Sequence, residues 1–86
     1  MLKFNYIITN KEGVHARPAG IIIKKASEFN SLVELFAKGQ TVSLKGGIFA
    51  LMGLGLRAGD ELDLTFKGDD EQAAYDAVTA LIKELL

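Results

Sequence analysis

Two segments near opposite ends of the chain alternate apolar and polar residues, and this alternation limits the fold more strongly than any other feature. From Leu2 to Thr9 the even positions are apolar, and Ile7 is the one apolar residue at an odd position. From Glu61 to Lys67 the same alternation recurs without exception. A period of two is typical of a β-strand with one buried face. The sequence therefore predicts two strands that each turn one face towards a core.

The region between these strands changes period, which predicts a helix followed by two shorter strands. A spacing of i, i+3, i+4 and i+7 is typical of an amphipathic helix, and it is shown by Ala19, Ile22, Ile23 and Ala26. The opposite face of this helix is expected to meet solvent or a partner, and it carries Arg17, Gly20, Lys24 and Ser27. Strands are predicted over Leu32 to Ala37 and Thr41 to Leu44, joined by the short glycine-containing connection Lys38-Gly39-Gln40.

The remaining segments predict two more helices. The run Ile48 to Met52 suits one or two helical turns. A longer helix ends the sequence, and Asp69 three residues before Gln72 resembles a capping box at its start. The order β-α-β-β-α-β-α predicts an α+β fold in which three helices cover one face of a four-stranded antiparallel sheet and the other face is more polar. We expect residues 1–86 to form a single domain.

The composition restricts the classes of function. Ten Lys and Arg against eleven Asp and Glu give a net charge of −1, so the chain lacks the basic excess that nucleic-acid binding requires. Cysteine is absent and histidine occurs once, so a metal site would need carboxylates alone. The uncharged stretch Gly46 to Leu56 falls short of the roughly 20 residues of a membrane span. We therefore predict a cytoplasmic protein with no metal, no cofactor, no nucleic-acid partner and no membrane insertion.

The segment around the single histidine carries the chemistry that the sequence offers. His15 precedes a predicted helix although histidine is a poor N-cap residue, and Pro18 fixes the start of that helix. The free N–H groups of Ala16 and Arg17 and the positive end of the helix dipole predict an anion site beside the ring. Imidazole is a nucleophile near neutral pH, and a guanidinium can pair with phosphate oxygens. His15 is therefore either a phosphoryl acceptor stabilised by Arg17 or an ordinary surface histidine.

The short helical run is apolar on every side and so cannot be buried completely. We assign Leu51 and Leu54 to the core. Ile48, Phe49 and Met52 are predicted to form an exposed patch, and the alternative is that they also belong to the core.

Taken together, these segments resemble the HPr family of histidine-containing phosphocarrier proteins. The resemblance is carried by Gly13 to Ala19, by Ser43-Leu44-Lys45 ahead of Ile48, and by Leu54-Gly55 after it, and it spans essentially the whole chain. It implies an open-faced β-sandwich with strand order 1-4-2-3. It also implies that His15 accepts phosphate on Nδ1 from enzyme I of the bacterial phosphoenolpyruvate-dependent sugar phosphotransferase system and passes it to sugar-specific enzyme II A domains.

The resemblance further implies where partners dock, and it exposes one departure from the family pattern. Docking is implied at Arg17, Gly20, Ile21, Lys24, Ser27, Ile48, Phe49 and Met52. Many relatives carry a regulatory serine directly after the Leu-Lys pair, whereas this chain has Gly46-Gly47 there. Because glycine has no hydroxyl group, we expect no regulation by serine phosphorylation at this point.

Two alternative functions remain open from the sequence. One is a regulatory docking module with an HPr-like surface, and the presence of His15 argues against it because such relatives typically lose the histidine. The other is a carrier in a nitrogen-related or dihydroxyacetone-kinase-linked phosphotransfer pathway, which the missing serine leaves open. For all three functions we expect a monomer.

Overall fold

A computed structural model describes all 86 residues and contains seven helices and strands in the predicted order. Strands β1 to β4 span Leu2–Ile7, Leu32–Ala37, Gln40–Ser43 and Glu61–Lys67. Helices α1 to α3 span Ala16–Ala26, Ile48–Met52 and Glu71–Leu85. No helix combines the length and the apolar composition that crossing a bilayer requires.

The four strands form one antiparallel sheet in the order β1-β4-β2-β3. Strand β4 lies inside the sheet, where Leu64 is opposite Phe4 of β1 on one side and Leu35 of β2 on the other. Helices α1 and α3 pack against each other, and α2 packs against α1 and β3. The predicted fold class and strand order are confirmed.

The core lies between the sheet and the helices. The inward residues of β4 are completely buried, as their alternation predicts, and they are Leu62, Leu64 and Phe66. The helices contribute Ile22 from α1 and Val78 and Ile82 from α3. The outer face of the sheet is mainly polar, although Ile7, Leu32 and Phe36 are exposed there. This packing fixes α1, and therefore the residues at its start, against the sheet.

Three strand boundaries differ from the predictions: β1 ends before Thr9, and β3 spans Gln40–Ser43 instead of Thr41 to Leu44. β1 ends at Ile7, since the N–H groups of Thr9 and Asn10 donate to the carbonyl of Leu86 instead of to a strand. β3 begins at Gln40, because a two-residue turn with positive φ at Lys38 and Gly39 sets Gln40 opposite Ala37.

The predicted capping box at the start of α3 is wrong. The helix begins at Glu71, so Asp70 rather than Asp69 occupies the N-cap position. The Asp70 carboxylate accepts hydrogen bonds from the Ser31 hydroxyl and from the N–H groups of Asn30 and Ser31, the last two at 2.8 and 2.9 Å. The carboxylate thus ties the loop before β2 to the start of α3, and this tertiary contact has no local sequence signal.

These hydrogen bonds predict a pH-dependent contribution to stability. The Ser31 hydroxyl, followed by the backbone N–H of Asn30, holds the pKa of Asp70 below its ordinary value of 3.8. Because the folded pKa is lower than the unfolded one, the stabilisation is complete above the unfolded pKa and is lost as pH falls through the folded pKa. Asp70→Asn should therefore lower the urea midpoint at about pH 7, and the difference from wild type should narrow at about pH 3. An equal difference at both pH values would contradict this assignment.

Candidate functional site

A turn anchored by Asn10 leads from β1 to the single histidine. The Asn10 carbonyl accepts the N–H of Gly13 at 2.9 Å, and its side-chain oxygen accepts the N–H of Glu12 at 2.9 Å. The Asn10 side-chain amide donates to the carbonyl of Leu85 at 2.9 Å. One asparagine therefore shapes the turn and fixes it to the end of α3.

The turn is also held against the segment that precedes β4. Gly13 adopts a φ of +66°, in the left-handed region that favours glycine, and a side chain there would collide with the carbonyl oxygen of Leu56. Immediately afterwards, the N–H of buried Val14 donates to that same carbonyl at 3.1 Å. These contacts set the distance between the turn and the body of the protein just before His15.

Gly13→Ala is accordingly expected to destabilise the fold and to displace His15. The left-handed backbone and the collision with Leu56 together should cost more than about 2 kcal/mol of unfolding free energy. Urea denaturation measures this loss, and Gly39→Ala serves as a control because Gly39 also has a positive φ but open space around it. If both variants lose the same unfolding free energy, the close approach of position 13 to Leu56 does not contribute to the loss.

His15 occupies the N-cap position of α1 but does not cap the helix through its side chain. Its backbone is extended, with a φ of −112°, and its ring makes no capping hydrogen bond. The side chain is 41% exposed, and Nε2 lies 3.1 Å from Oε2 of Glu12. The ring is therefore accessible to a partner, and one of its nitrogens is next to a carboxylate.

The start of α1 offers two unused hydrogen-bond donors beside this ring. The first helical N–H to find a carbonyl is that of Ala19, which donates to His15 at 3.1 Å. The N–H groups of Ala16 and Arg17 have no acceptor in the chain, and Pro18 has no N–H. The first turn contains no acidic residue, so no carboxylate of the helix itself compensates the positive end of its dipole. This arrangement suits an anion.

A cleft of about 160 Å³ brings together four of the predicted site residues, which are His15, Arg17, Pro18 and Ile21. Its lining consists of Asn10, His15, Arg17, Pro18, Ile21 and Leu85. Arg17 is exposed, and its guanidinium forms no ion pair or hydrogen bond within the chain. The cleft thus combines a nucleophilic ring with an unpaired planar cation, and the free N–H groups of Ala16 and Arg17 lie at the start of the same helix.

The sequence did not assign three residues of this region to the site. Asn10 and Glu12 belong to the segment Asn10 to Gly13, which the sequence predicts only as a turn, and Glu12 lies three residues before His15, a spacing at which side chains can meet across a turn. Leu85 has no such signal, because only the packing of α3 against α1 brings it to the cleft.

The residues predicted to dock partners lie along α1 and α2, and they differ in exposure. Phe49 is 87% exposed, and Ile21 and Lys24 are exposed as well. Ile48 and Met52 are half-buried against the core, whereas Leu51 and Leu54 are fully buried, as predicted. Gly20 lies where α1 approaches α2, and a Cβ added there would lie 3.7 Å from Cδ1 of Ile48, at van der Waals range. Ser27 is exposed, and its hydroxyl donates to the carbonyl of Ile23. Helices α1 and α2 together therefore present a partly apolar surface next to His15.

No cluster of three His, Asp or Glu side chains lies close enough together to hold a metal ion. The contact between Glu12 and His15 has two such groups only.

Comparison with known proteins identifies the family. A family model described as the PTS HPr component phosphorylation site matches residues 2–84. The chain belongs to the HPr family. The phosphocarrier protein HPr of Mycoplasma capricolum is 37% identical over 89 residues, which cover 96% of this chain and 99% of that relative. This family membership supports a phosphocarrier role in the phosphotransferase system.

Solved HPr structures have the same fold. A mycoplasma histidine-containing phosphocarrier protein superposes with a TM-score of 0.91 at 34% identity, covering 96% of this chain and 93% of that one. An HPr dimer from Thermoanaerobacter tengcongensis superposes with a TM-score of 0.75 at 36% identity, covering 98% and 95% of the two chains. Because an HPr protein is described as a dimer, the monomer expected for this chain stays a prediction.

Of the two glycines that depart from the HPr pattern, Gly47 has a structural role at the start of α2. Gly47 occupies the N-cap position with a φ of +121°, a backbone conformation that side-chain-bearing residues rarely adopt. A serine at position 47 would therefore be strained. Position 46 has ordinary backbone geometry, although an added Cβ would lie 3.3 Å from the carbonyl oxygen of Ser43. The absence of phosphoserine regulation stays a prediction.

Proposed function

We propose that residues 1–86 form one phosphocarrier domain in which His15 accepts a phosphoryl group from enzyme I and passes it to sugar-specific enzyme II A domains. The observation that carries this proposal is the cleft, where an accessible imidazole lies beside unpaired Arg17 and the free N–H groups of Ala16 and Arg17. Membership of the HPr family supports the same role. The chain is proposed to act in the cytoplasm as a monomer.

In this proposal each group has one task. The lone pair of His15 Nδ1 attacks the phosphorus atom, and the N–H groups and the Arg17 guanidinium stabilise the negative charge on the phosphoryl oxygens. Phosphoryl transfer depends mainly on positioning and charge stabilisation, so a small site without a metal is chemically sufficient on the acceptor side. Pro18 contributes indirectly by fixing the start of α1 next to the ring.

Partner docking is assigned to the surface that borders the cleft. Exposed Phe49 and Ile21 offer apolar contacts, and Lys24 and Arg17 offer positive charge to an acidic partner. Gly20, Ser27, Ile48 and Met52 complete this surface. Because it adjoins His15, a partner seated there could bring its own phosphoryl-bearing residue to the ring.

The experiment that tests the proposal is the intact mass of the protein after incubation with phosphoenolpyruvate, magnesium and bacterial enzyme I. Gain of one acid-labile phosphoryl group supports a histidine carrier, and subsequent loss of that group to an enzyme II A domain supports the sugar pathway. Acceptance without onward transfer to several such domains would favour the nitrogen-related or dihydroxyacetone-kinase-linked pathway. Failure to gain phosphate from several enzyme I preparations would favour a docking module.

A further inference from the structure

Glu12 is the charged residue that contacts the ring of His15, and the proposed function assigns it no task. Its Oε2 lies 3.1 Å from Nε2 of His15, and no other carboxylate of the chain lies within 4 Å of that ring. The two side chains are 75% and 41% exposed. The contact therefore distinguishes the two nitrogens of the ring, because only Nε2 faces a negative charge.

The backbone of Glu12 is held in place by the turn described above. Its N–H donates to the side-chain oxygen of Asn10, and Asn10 is itself fixed to the carbonyls of Leu85 and Leu86. On the other side, the N–H of Val14 donates to the carbonyl of Leu56 at 3.1 Å. Glu12 thus projects its side chain from a defined point three residues before His15.

We propose that Glu12 is a positioning residue that keeps the ring proton of His15 on Nε2 and so leaves the lone pair of Nδ1 free to attack phosphorus. A carboxylate only accepts hydrogen bonds, and it is repelled by an imidazole nitrogen that presents a lone pair. The tautomer that carries its proton on Nε2 is therefore favoured beside Oε2 of Glu12. The inference rests on the proposed function, since it concerns the nitrogen that receives the phosphoryl group.

The same carboxylate also stabilises the product of the transfer step. The lone pair of Nδ1 forms a bond to phosphorus while the bond from phosphorus to the donor's leaving atom breaks, and that electron pair remains on the donor. Nε2 keeps its proton throughout, so the phosphorylated ring carries a positive charge. Glu12 lies beside the nitrogen opposite to the new bond, where its negative charge attracts the cationic ring.

The expected effect on the transfer rate is modest because both side chains are largely in solvent. An exposed charge pair contributes little free energy. Loss of the contact between Glu12 and His15 should therefore change the transfer rate only about two- to five-fold. Glu12→Ala removes both the acceptor and the charge and should show the whole effect. Glu12→Gln keeps an acceptor oxygen of similar reach and should lie between Glu12→Ala and wild type.

The test combines the tautomer of His15 with the rate of phosphate acceptance. Long-range correlation of ¹⁵N-labelled histidine, recorded on the unphosphorylated protein at a pH where the ring is neutral, reports which nitrogen carries the proton. Initial rates of acceptance from phospho-enzyme I are measured for the same proteins. Asp69→Asn is the matched control, because it removes one negative charge from an exposed residue at the opposite end of α3 from the cleft.

We expect Glu12→Ala to increase the share of the tautomer protonated on Nδ1 and to slow acceptance relative to Asp69→Asn. An unchanged tautomer ratio in Glu12→Ala would overturn the inference, and so would a rate equal to that of the control. The NMR arm needs no phosphoryl donor. It therefore tests whether Glu12 positions the ring proton even if the wild-type protein gains no phosphate. Failure of the wild-type protein to gain phosphate would overturn the proposed function instead.

Discussion

His15→Ala is expected to abolish phosphate acceptance completely while the protein remains folded. Imidazole is the only strong nitrogen nucleophile in the cleft, because neither a guanidinium group, as in Arg17, nor a carboxamide, as in Asn10, is nucleophilic. The ring is partly exposed and caps nothing, so its loss should change the unfolding free energy by less than about 0.5 kcal/mol. Intact mass after incubation with phosphoenolpyruvate and enzyme I measures acceptance, and urea denaturation measures stability.

His15→Asn provides the matched variant for this experiment. Asparagine is a favourable N-cap residue, so this variant should be at least as stable as wild type and should still accept no phosphate. Loss of acceptance in a fully folded His15→Asn protein would separate the chemistry of the ring from its place at the start of α1. If either variant still gains one phosphoryl group, another residue is the acceptor.

Most of the fold could be predicted because its elements carry strong local periodicity. The alternation in β4 predicts three buried residues, and the spacing of Ala19, Ile22 and Ala26 predicts the buried face of α1. The strand order could not be predicted in this way. The periodicity indicates only an antiparallel sheet, and the order follows from the family resemblance. Strand β4 lies between β1 and β2 through pairings that join residues distant in sequence.

The candidate site could be predicted only where its residues are neighbours in sequence. His15, Ala16, Arg17 and Pro18 were predicted together because the geometry of a helix start is local. Leu85 lines the cleft because α3 packs against α1, and no rule about sequence spacing predicts this packing. The Asp70 carboxylate was missed for the same reason, since its partners lie about forty residues earlier. Local rules thus identify the nucleophile and its stabilising groups but not the tertiary contacts that shape the cleft.

Arg17→Ala is expected to slow phosphate acceptance by about 100-fold without unfolding the protein. Loss of one well-placed donor to a developing oxyanion typically reduces rates by about 100-fold or more. The remaining N–H groups and His15 should preserve slow transfer, so the reaction is not abolished. Because the Arg17 side chain is exposed and has no partner within the chain, its removal should leave the urea midpoint unchanged.

The position of Arg17 at the edge of the docking surface requires the kinetics to separate chemistry from binding. If the guanidinium acts on the phosphoryl group, Arg17→Ala should lower the rate at saturating enzyme I, and Arg17→Lys should recover only part of it because an ammonium lacks the planar pair of donors. If Arg17 serves docking alone, only the half-saturating concentration should rise. Lys67→Thr removes one positive charge from β4 and serves as the control. If Arg17→Ala matches this control in both the rate at saturation and the half-saturating concentration, both roles are excluded. A lower rate at saturation would establish that the charge at the start of α1 acts on the transferred group itself.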